Sequence, residues 1–338
     1  MKAIFSGFIL FVGTVVGFLF ISSSGTGDLQ NEWSEPTILY VYPVEPSPRE
    51  LQADVYESTI RIVGGYRHLR EDHFFEDSKI FYLQQEEGGE PEVLLIPTDD
   101  YPTERPSILR DRSGDIHFLW GDRRMDPNFE EWKIGRPQIL GFSTHVIYSR
   151  FDGTQIMTPE PIYEGHLREL VGGIADLLLP ARWVEDGQGQ LHTVFVADSI
   201  YTATFEGEEV VGFTPGIAYM IRSDTGEWSP RRFLHPGADA EIILLPQGRL
   251  MIVYLGSTGP GNINDVLVIT SDDGGDTWSE PQLVFLSGHQ PGRFLGLKTG
   301  PNGDVHLIWG RQTRGLPVPN ELWHSYSEDG GDTWSTPE

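Results

Sequence analysis

The sequence predicts an all-β chain of repeated four-stranded blades, a β-propeller, and three observations predict it. Two near-identical octapeptides, Ser271-Asp-Asp273-Gly-Gly275-Asp-Thr277-Trp278 and Ser327-Glu-Asp329-Gly-Gly331-Asp-Thr333-Trp334, lie 56 residues apart. A repeat of that length carrying several short strands is the period of a propeller or solenoid unit. A second pattern, polar-Gly-x-apolar-x-apolar leading into an apolar run, recurs with Gly114, Gly189, Gly248 and Gly303, spaced by 75, 59 and 55 residues. The 39 glycines, 24 prolines and 12% aromatic content suit many short strands joined by tight turns.

From the N-terminus, Lys2 precedes an apolar run over residues 3–21 and then a small-residue stretch to Gly27. That is the layout of a secretory signal with its cleavage region, and the run is also nearly long enough for an uncleaved membrane tether. Either reading exports the remainder, so residues 1–27 are set apart as signal peptide or anchor and 28–338 as one propeller domain. Trp33-Ser-Glu-Pro36 and the apolar residues to Val41 read as a fourth strand without its first three. A divergent first blade is expected over 48–101, with strands at 59–63, 80–83 and 93–96. Beyond it, each glycine turn joins a first strand to a second. Third strands are expected at 144–148, 218–221, 266–269 and 322–326, and fourth strands at 161–163, 232–234 and 282–285, behind the proline that trails each turn. In the octapeptides Asp accepts backbone N–H bonds, Gly takes positive φ, and Trp opens the next strand with a large ring to bury. Weaker versions of the turn are expected at 149–153 and 223–228. The last repeat stops where its fourth strand begins, so the expectation is about five blades and a chain cut short at its C-terminus.

The formal charge is −26, from Lys+Arg 24 against Asp+Glu 50. Such a surface repels nucleic acid and anionic lipid, which excludes both as partners. It gives no long-range attraction to an acidic sugar either, so such a substrate needs a local cluster of Arg. Nearly all the cations are Arg, the side chain that grips a carboxylate through two parallel hydrogen bonds. The absence of cysteine excludes disulfides, thiolate zinc centres and a cysteine nucleophile. His117, His192 and His306 recur at one repeat position on separate blades, which reads as packing or strand surface, and the acidic loops lack calcium-loop spacing. No metal or cofactor is expected, and the chain is expected to be a monomer.

In a propeller the first strand of each blade starts around the central channel. The residues there read Glu104-Arg105-Pro106, Ala181-Arg182-Trp183, Asp239-Ala240-Glu241 and Gly292-Arg293-Phe294. Three Arg and a Glu at homologous points are what a pocket for a sugar acid needs: guanidinium forks for the carboxylate and a carboxyl for acid/base work. The competing reading is that these Arg bond carbonyls of the neighbouring blade.

The octapeptides resemble the Asp-box of the sialidase (neuraminidase)-like, BNR-repeat β-propellers. The resemblance implies a six-bladed type of fold with the Asp-box hairpins away from the catalytic face. For function it implies an exo-α-sialidase, a glycoside hydrolase acting on terminal sugar acids of a glycan or glycoconjugate. Residue by residue, Arg105-Pro106 resembles the segment supplying the first Arg of that family's triad, with its middle apolar residue missing. Trp120-Gly-Asp-Arg123, with Asp126 behind it, resembles the segment carrying the acid/base Asp. Glu241 resembles the Glu that polarises a Tyr nucleophile, and Arg293 stands for a later triad Arg. Departures are substantial. The stretch 253–257 lacks an Arg that the family places there, for which Arg182 is a spatial substitute. Trp309-Gly-Arg311 repeats part of the Arg123 motif, which gives Arg123 a reading as a blade feature. No Tyr stands at the nucleophile position, Tyr326 being expected in the core. The alternative is a non-catalytic propeller that binds glycan or protein at the cell surface.

Overall fold

The computed structural model describes residues 11–13, 16–18, 49–56, 58–68, 77–86, 89–98, 103–125, 140–169, 181–205, 208–256, 265–286, 292–300, 302–311 and 321–338. The regular elements of the described residues are all strands. They fall in two compact units, Met1–Pro102 and Thr103–Glu338.

In the first unit a short antiparallel pair, β1 (Phe11–Gly13) and β2 (Val16–Phe18), lies within the apolar N-terminal run. Among the described residues no helix is long and apolar enough to cross a membrane. The Trp33 segment lies outside the described residues. A four-stranded antiparallel sheet follows, in the order β3 (Arg49–Tyr56), β4 (Thr59–His68), β5 (Asp77–Glu86) and β6 (Glu92–Ile96). This is the divergent first blade, and Phe81 and Leu83 pack with Ile62 and Val93 at its centre.

The second unit holds four blades. Blade 2 is β7 (Thr103–Arg110), β8 (Ile116–Met125), β9 (Leu140–Phe151) and β10 (Glu160–Glu169). Blade 3 is β11 (Arg182–Glu185), β12 (Leu191–Phe205), β13 (Glu208–Arg222) and β14 (Arg232–Pro236). Blade 4 is β15 (Ala238–Leu244), β16 (Leu250–Gly256), β17 (Asp265–Ser271) and β18 (Gln282–Phe285), and blade 5 is β19 (Gly292–Thr299), β20 (Val305–Arg311) and β21 (Glu321–Ser327). In each blade strands follow one another in sequence order and pair antiparallel. Beside β21, Ser335 and Glu338 exchange backbone hydrogen bonds with Tyr326 and His324, where the other blades have a fourth strand.

The sequence of β16 shows why blades stack. All seven of its residues are buried, and with period-2 alternation they serve two cores. Leu250, Ile252 and Tyr254 pack with Val194, Ile217 and Tyr219 of blade 3, while Met251, Val253 and Leu255 pack with Leu297, Leu307 and Trp309 of blade 5. A strand covered on both faces reads as a continuous apolar run. Blades 2 and 3 share a third core that includes Leu119, Tyr148, Trp183 and Phe195. The innermost strands β7, β11, β15 and β19 therefore lie side by side in chain order, which is the propeller arrangement.

The two octapeptides adopt one geometry. Ser271 Oγ donates to Asp273 Oδ1 at 2.8 Å and accepts the Gly275 N–H at 2.8 Å; Asp273 Oδ1 takes the Thr277 N–H at 2.9 Å. Ser327, Asp329, Gly331 and Thr333 repeat the pattern, each bond at 2.8 Å. Hydrogen bonds from the Thr hydroxyl and N–H hold the Asp273 and Asp329 carboxyls down at about 2. The weaker turns differ. Register puts Phe151 and Arg222 where Ser271 stands, so the turn at 149–153 does not begin on Ser149 as an octapeptide would. In the turn at 223–228, Gly226 keeps a positive φ of 96° and Trp228 packs on Tyr148 at 5.4 Å. Tyr326 also departs from expectation. It is 39% exposed rather than in the core, because it lies on the face of blade 5 turned away from blade 4, with Ile308 and Leu322.

His117 and His192 are packing residues. Each ring is held between a Tyr hydroxyl and an Asp: Tyr148 (2.9 Å) and Asp111 (3.0 Å) for His117, Tyr219 (2.6 Å) and Asp186 (3.3 Å) for His192. Burial pushes both imidazoles below their ordinary value against the pull of these carboxylates. Burial in turn pushes Asp186 up, but the backbone N–H groups of Gln190 and Gln188 and the His192 ring outweigh it and leave the carboxyl low.

Candidate functional site

The channel residues lie within the innermost strands rather than just before them. Register counted from the glycine turns places Ser107, Arg182, Glu241 and Gly296 at one level of β7, β11, β15 and β19. At that level, two predicted residues meet. Arg182 Nε donates to Glu241 Oε1 at 2.6 Å, across the boundary between blades 3 and 4. The side chains are 25% and 18% exposed, respectively, so the pair is largely dehydrated yet open on one side. Thr193 Oγ donates to the Arg182 carbonyl at 3.1 Å and ties β11 to β12 behind it. Among the described residues the two terminal amino groups of Arg182 make no hydrogen bond. Together they form a planar fork of the kind that takes a carboxylate bidentately.

Burial pushes the Glu241 carboxyl above the ordinary Glu value; Arg182 and Lys298 of β19 pull it down, and the nearby Asp239 charge pushes it further up. A largely buried carboxyl that retains its proton more readily than usual suits a proton donor at a glycosidic oxygen. Asp239 has its own peculiarity. It adopts φ 49°, a left-handed conformation that costs a non-glycine residue on the order of 1–3 kcal/mol.

The backbone places the other predicted Arg on neighbouring innermost strands. Arg105 sits at the irregularity of β7 between Glu104 and Ser107, and Arg293 in β19 opposite Gly310. Arg123 sits in β8, opposite Thr144 of β9, two strands from the channel level of Arg182. Asp126 lies outside the described residues. Sequence reading missed a polar row on blade 2: the buried Asp122 bonds His145 Nδ1 at 2.9 Å, and Glu164 stands 3.7 Å from His145 Nε2. The three residues are cross-strand neighbours, a relation that only the register reveals. Among the described residues no group of three or more His, Asp or Glu side chains is arranged to hold a metal ion.

No family model matches the sequence, and no curated protein matches it. Solved structures do. A protein of unknown function from Dyadobacter fermentans is similar at a TM-score of 0.52 and 15% identity, over 82% of this chain and 78% of that one. The α-L-arabinanase of Penicillium chrysogenum, complexed with arabinobiose, is similar at 0.50 and 11% identity, over 93% and 85%. The Trypanosoma rangeli sialidase in complex with sialic acid matches at 0.42 and 12% identity over 95% of this chain, which spans half of that sialidase's length. At such identities likeness speaks for fold alone. The fold is a β-propeller, similar to the fold of the arabinanase.

Proposed function

We propose that the chain is an exported glycoside hydrolase that removes a terminal sugar acid from a glycan, an exo-α-sialidase or near equivalent. The observation that carries this reading is the Arg182–Glu241 pair on adjacent channel strands. Arg182 offers its two terminal amino groups to the sugar carboxylate, and Arg105 and Arg293, on the flanking innermost strands, supply further positive charge. Glu241, which burial makes hold its proton more readily than an ordinary surface Glu, donates that proton to the leaving oxygen. Arg123 keeps the substrate-binding role that the family resemblance implies, and Glu241 takes the proton-donor role that the resemblance implies for Asp126. Export rests on the apolar run at 3–21, as signal or tether, and the partner class is a glycoconjugate.

The test is release of 4-methylumbelliferone by the purified protein from its α-sialoside, β-glucuronide and α-L-arabinofuranoside, with Glu241→Gln and Arg182→Ala alongside. Turnover of an acidic glycoside that falls about 100-fold in Glu241→Gln, with KM raised chiefly in Arg182→Ala, is expected. Absence of turnover on all three substrates by correctly folded protein would sink the hydrolase reading and leave the non-catalytic binding propeller.

A further inference from the structure

Glycosidic hydrolysis takes two carboxyl groups as a rule, one to protonate the leaving oxygen and one to serve the attacking side. Glu241 accounts for one. The strand that carries it offers the other. Asp239 is the only non-glycine residue with a left-handed backbone among the described residues. Ten glycines supply that conformation elsewhere in the described chain, all of them in turns. Asp239 is instead in the innermost strand β15, as the residue inserted by a β-bulge: Ala238 pairs with Leu255 and Ala240 with Tyr254. Bulges beside functional sites re-aim a side chain. A strained position filled by Asp where Gly would fit without strain points to a use for the side chain. Asp239 stands two residues before Glu241 on β15, while Ala240 and Ile242 go into the blade 3–4 core.

We infer that Asp239 is the second carboxylate of the channel site, acting with Glu241 on a glycoside bound between them. The inference rests on the hydrolase reading above. Asp239 takes a proton from a water molecule as its oxygen adds to the anomeric carbon. The carbon–oxygen bond to the leaving group breaks, its electron pair passes to the leaving oxygen, and Glu241 protonates that oxygen. The two sugars leave as alcohol and hemiketal or hemiacetal, and the proton on Asp239 returns through solvent to Glu241. Electrostatic coupling between the two groups supports their sharing one site.

Three variants test this. Asp239→Asn keeps size and tolerance of positive φ but removes the base; kcat/KM should fall about 100-fold or more with KM changed only a few-fold. Asp239→Gly relieves the backbone, so it should melt at or above the wild-type temperature while losing the same activity. A residue with a purely structural role would instead lower the melting temperature in both. Undiminished turnover in Asp239→Asn overturns the inference. Should the wild type hydrolyse no glycoside, the hydrolase reading fails on its own, and a second readout still judges Asp239. The Glu241 carboxyl, followed by carbon-13 NMR in protein labelled at Glu and assigned with Glu241→Gln, should titrate at a lower pH in Asp239→Asn. An unmoved midpoint would show that the two carboxylates do not share a site.

Discussion

Blade 3 and blade 4 solve one packing problem with different chemistry. His192 and Tyr219 of blade 3 occupy the register positions that Met251 and Val268 hold in blade 4. Each set lies under the octapeptide glycine of the next blade. A Cβ on Gly275 would stand 1.9 Å from the Tyr219 hydroxyl, and one on Gly331 would stand 2.2 Å from the Met251 methyl. Above Tyr219, Trp278 stacks edge-on at 5.3 Å. The repeat therefore demands a shape at this position and leaves its polarity open. A recurring His at such a point carries no catalytic message, since an apolar pair serves blade 4 equally well. The two solutions differ in rigidity and in response to acid, and both differences are measurable.

The largest effect should separate Gly275→Ala from Gly331→Ala. Both glycines hold positive φ, 90° and 95°, which costs Ala roughly 1–2 kcal/mol. Overpacking adds about 1–3 kcal/mol where neighbours cannot move. Tyr219 is pinned by His192 and Trp278, whereas the Met251 methyl ends a flexible side chain. Gly275→Ala should thus cost about 3–4 kcal/mol and Gly331→Ala about 2 kcal/mol in chemical denaturation. Equal costs would mean that the two interfaces are equally rigid.

Next comes the acid response, which blade 4 lacks at this position. His117 and His192 have folded-state pKa values below the ordinary one because of burial. Above about 6.5 both states are neutral and these groups leave stability unchanged with pH. As pH falls below that value the unfolded chain takes up protons first, so stability declines until the folded-state values are passed. His192→Met, which imports the blade 4 residue, should flatten the fall in melting temperature between pH 7 and 5, and His117→Met with it should flatten it further. Tyr219→Phe should cost about 1–2 kcal/mol at pH 7 by stranding His192 Nδ1, yet keep the acid slope. A slope that survives the double His substitution would move the acid sensitivity elsewhere.

The fold was legible because blade stacking leaves local marks: octapeptides, glycine turns, and the doubly buried run of β16. The site was legible only in part. Arg182 and Glu241 stand out as charged residues at blade starts, but their contact spans 59 residues and depends on how one blade turns against the next. Asp239 carries no local sign, since Ala238-Asp239-Ala240-Glu241 contains no glycine to announce a bulge. The abundance of Arg misled in a specific way. The Arg112 guanidinium donates to the Gly187 carbonyl, beside a bond from its backbone N–H to Glu185, and the Arg232 guanidinium donates to the carbonyls of Gly275 and Asp276. These guanidiniums fasten one blade to the next at the turn end, a task that needs the same planar fork as sugar-acid binding. Composition cannot distinguish the two uses.

The smallest effect belongs to the last of these fasteners. Arg249 of blade 4 donates to Asp272 in its own octapeptide at 2.7 Å and to Asp332 in that of blade 5 at 2.8 Å. The hydrogen bonds raise its guanidinium's affinity for the proton. Both carboxylates are well exposed, 70% and 66%, and exposed pairs are worth roughly 0–1 kcal/mol. Arg232 instead grips two backbone carbonyls at 2.6 and 2.8 Å and lies over the Tyr219 ring. Charge-assisted bonds of that kind contribute about 1.5–3 kcal/mol and depend little on ionic strength. Arg249→Ala should therefore lower stability by under about 1 kcal/mol, a loss that vanishes when salt is raised to about 1 M. Arg232→Ala should cost more and keep its cost in salt. If Arg249→Ala proves the costlier and the salt-independent one, the octapeptide carboxylates, and not the backbone of the turn, hold blades 4 and 5 together.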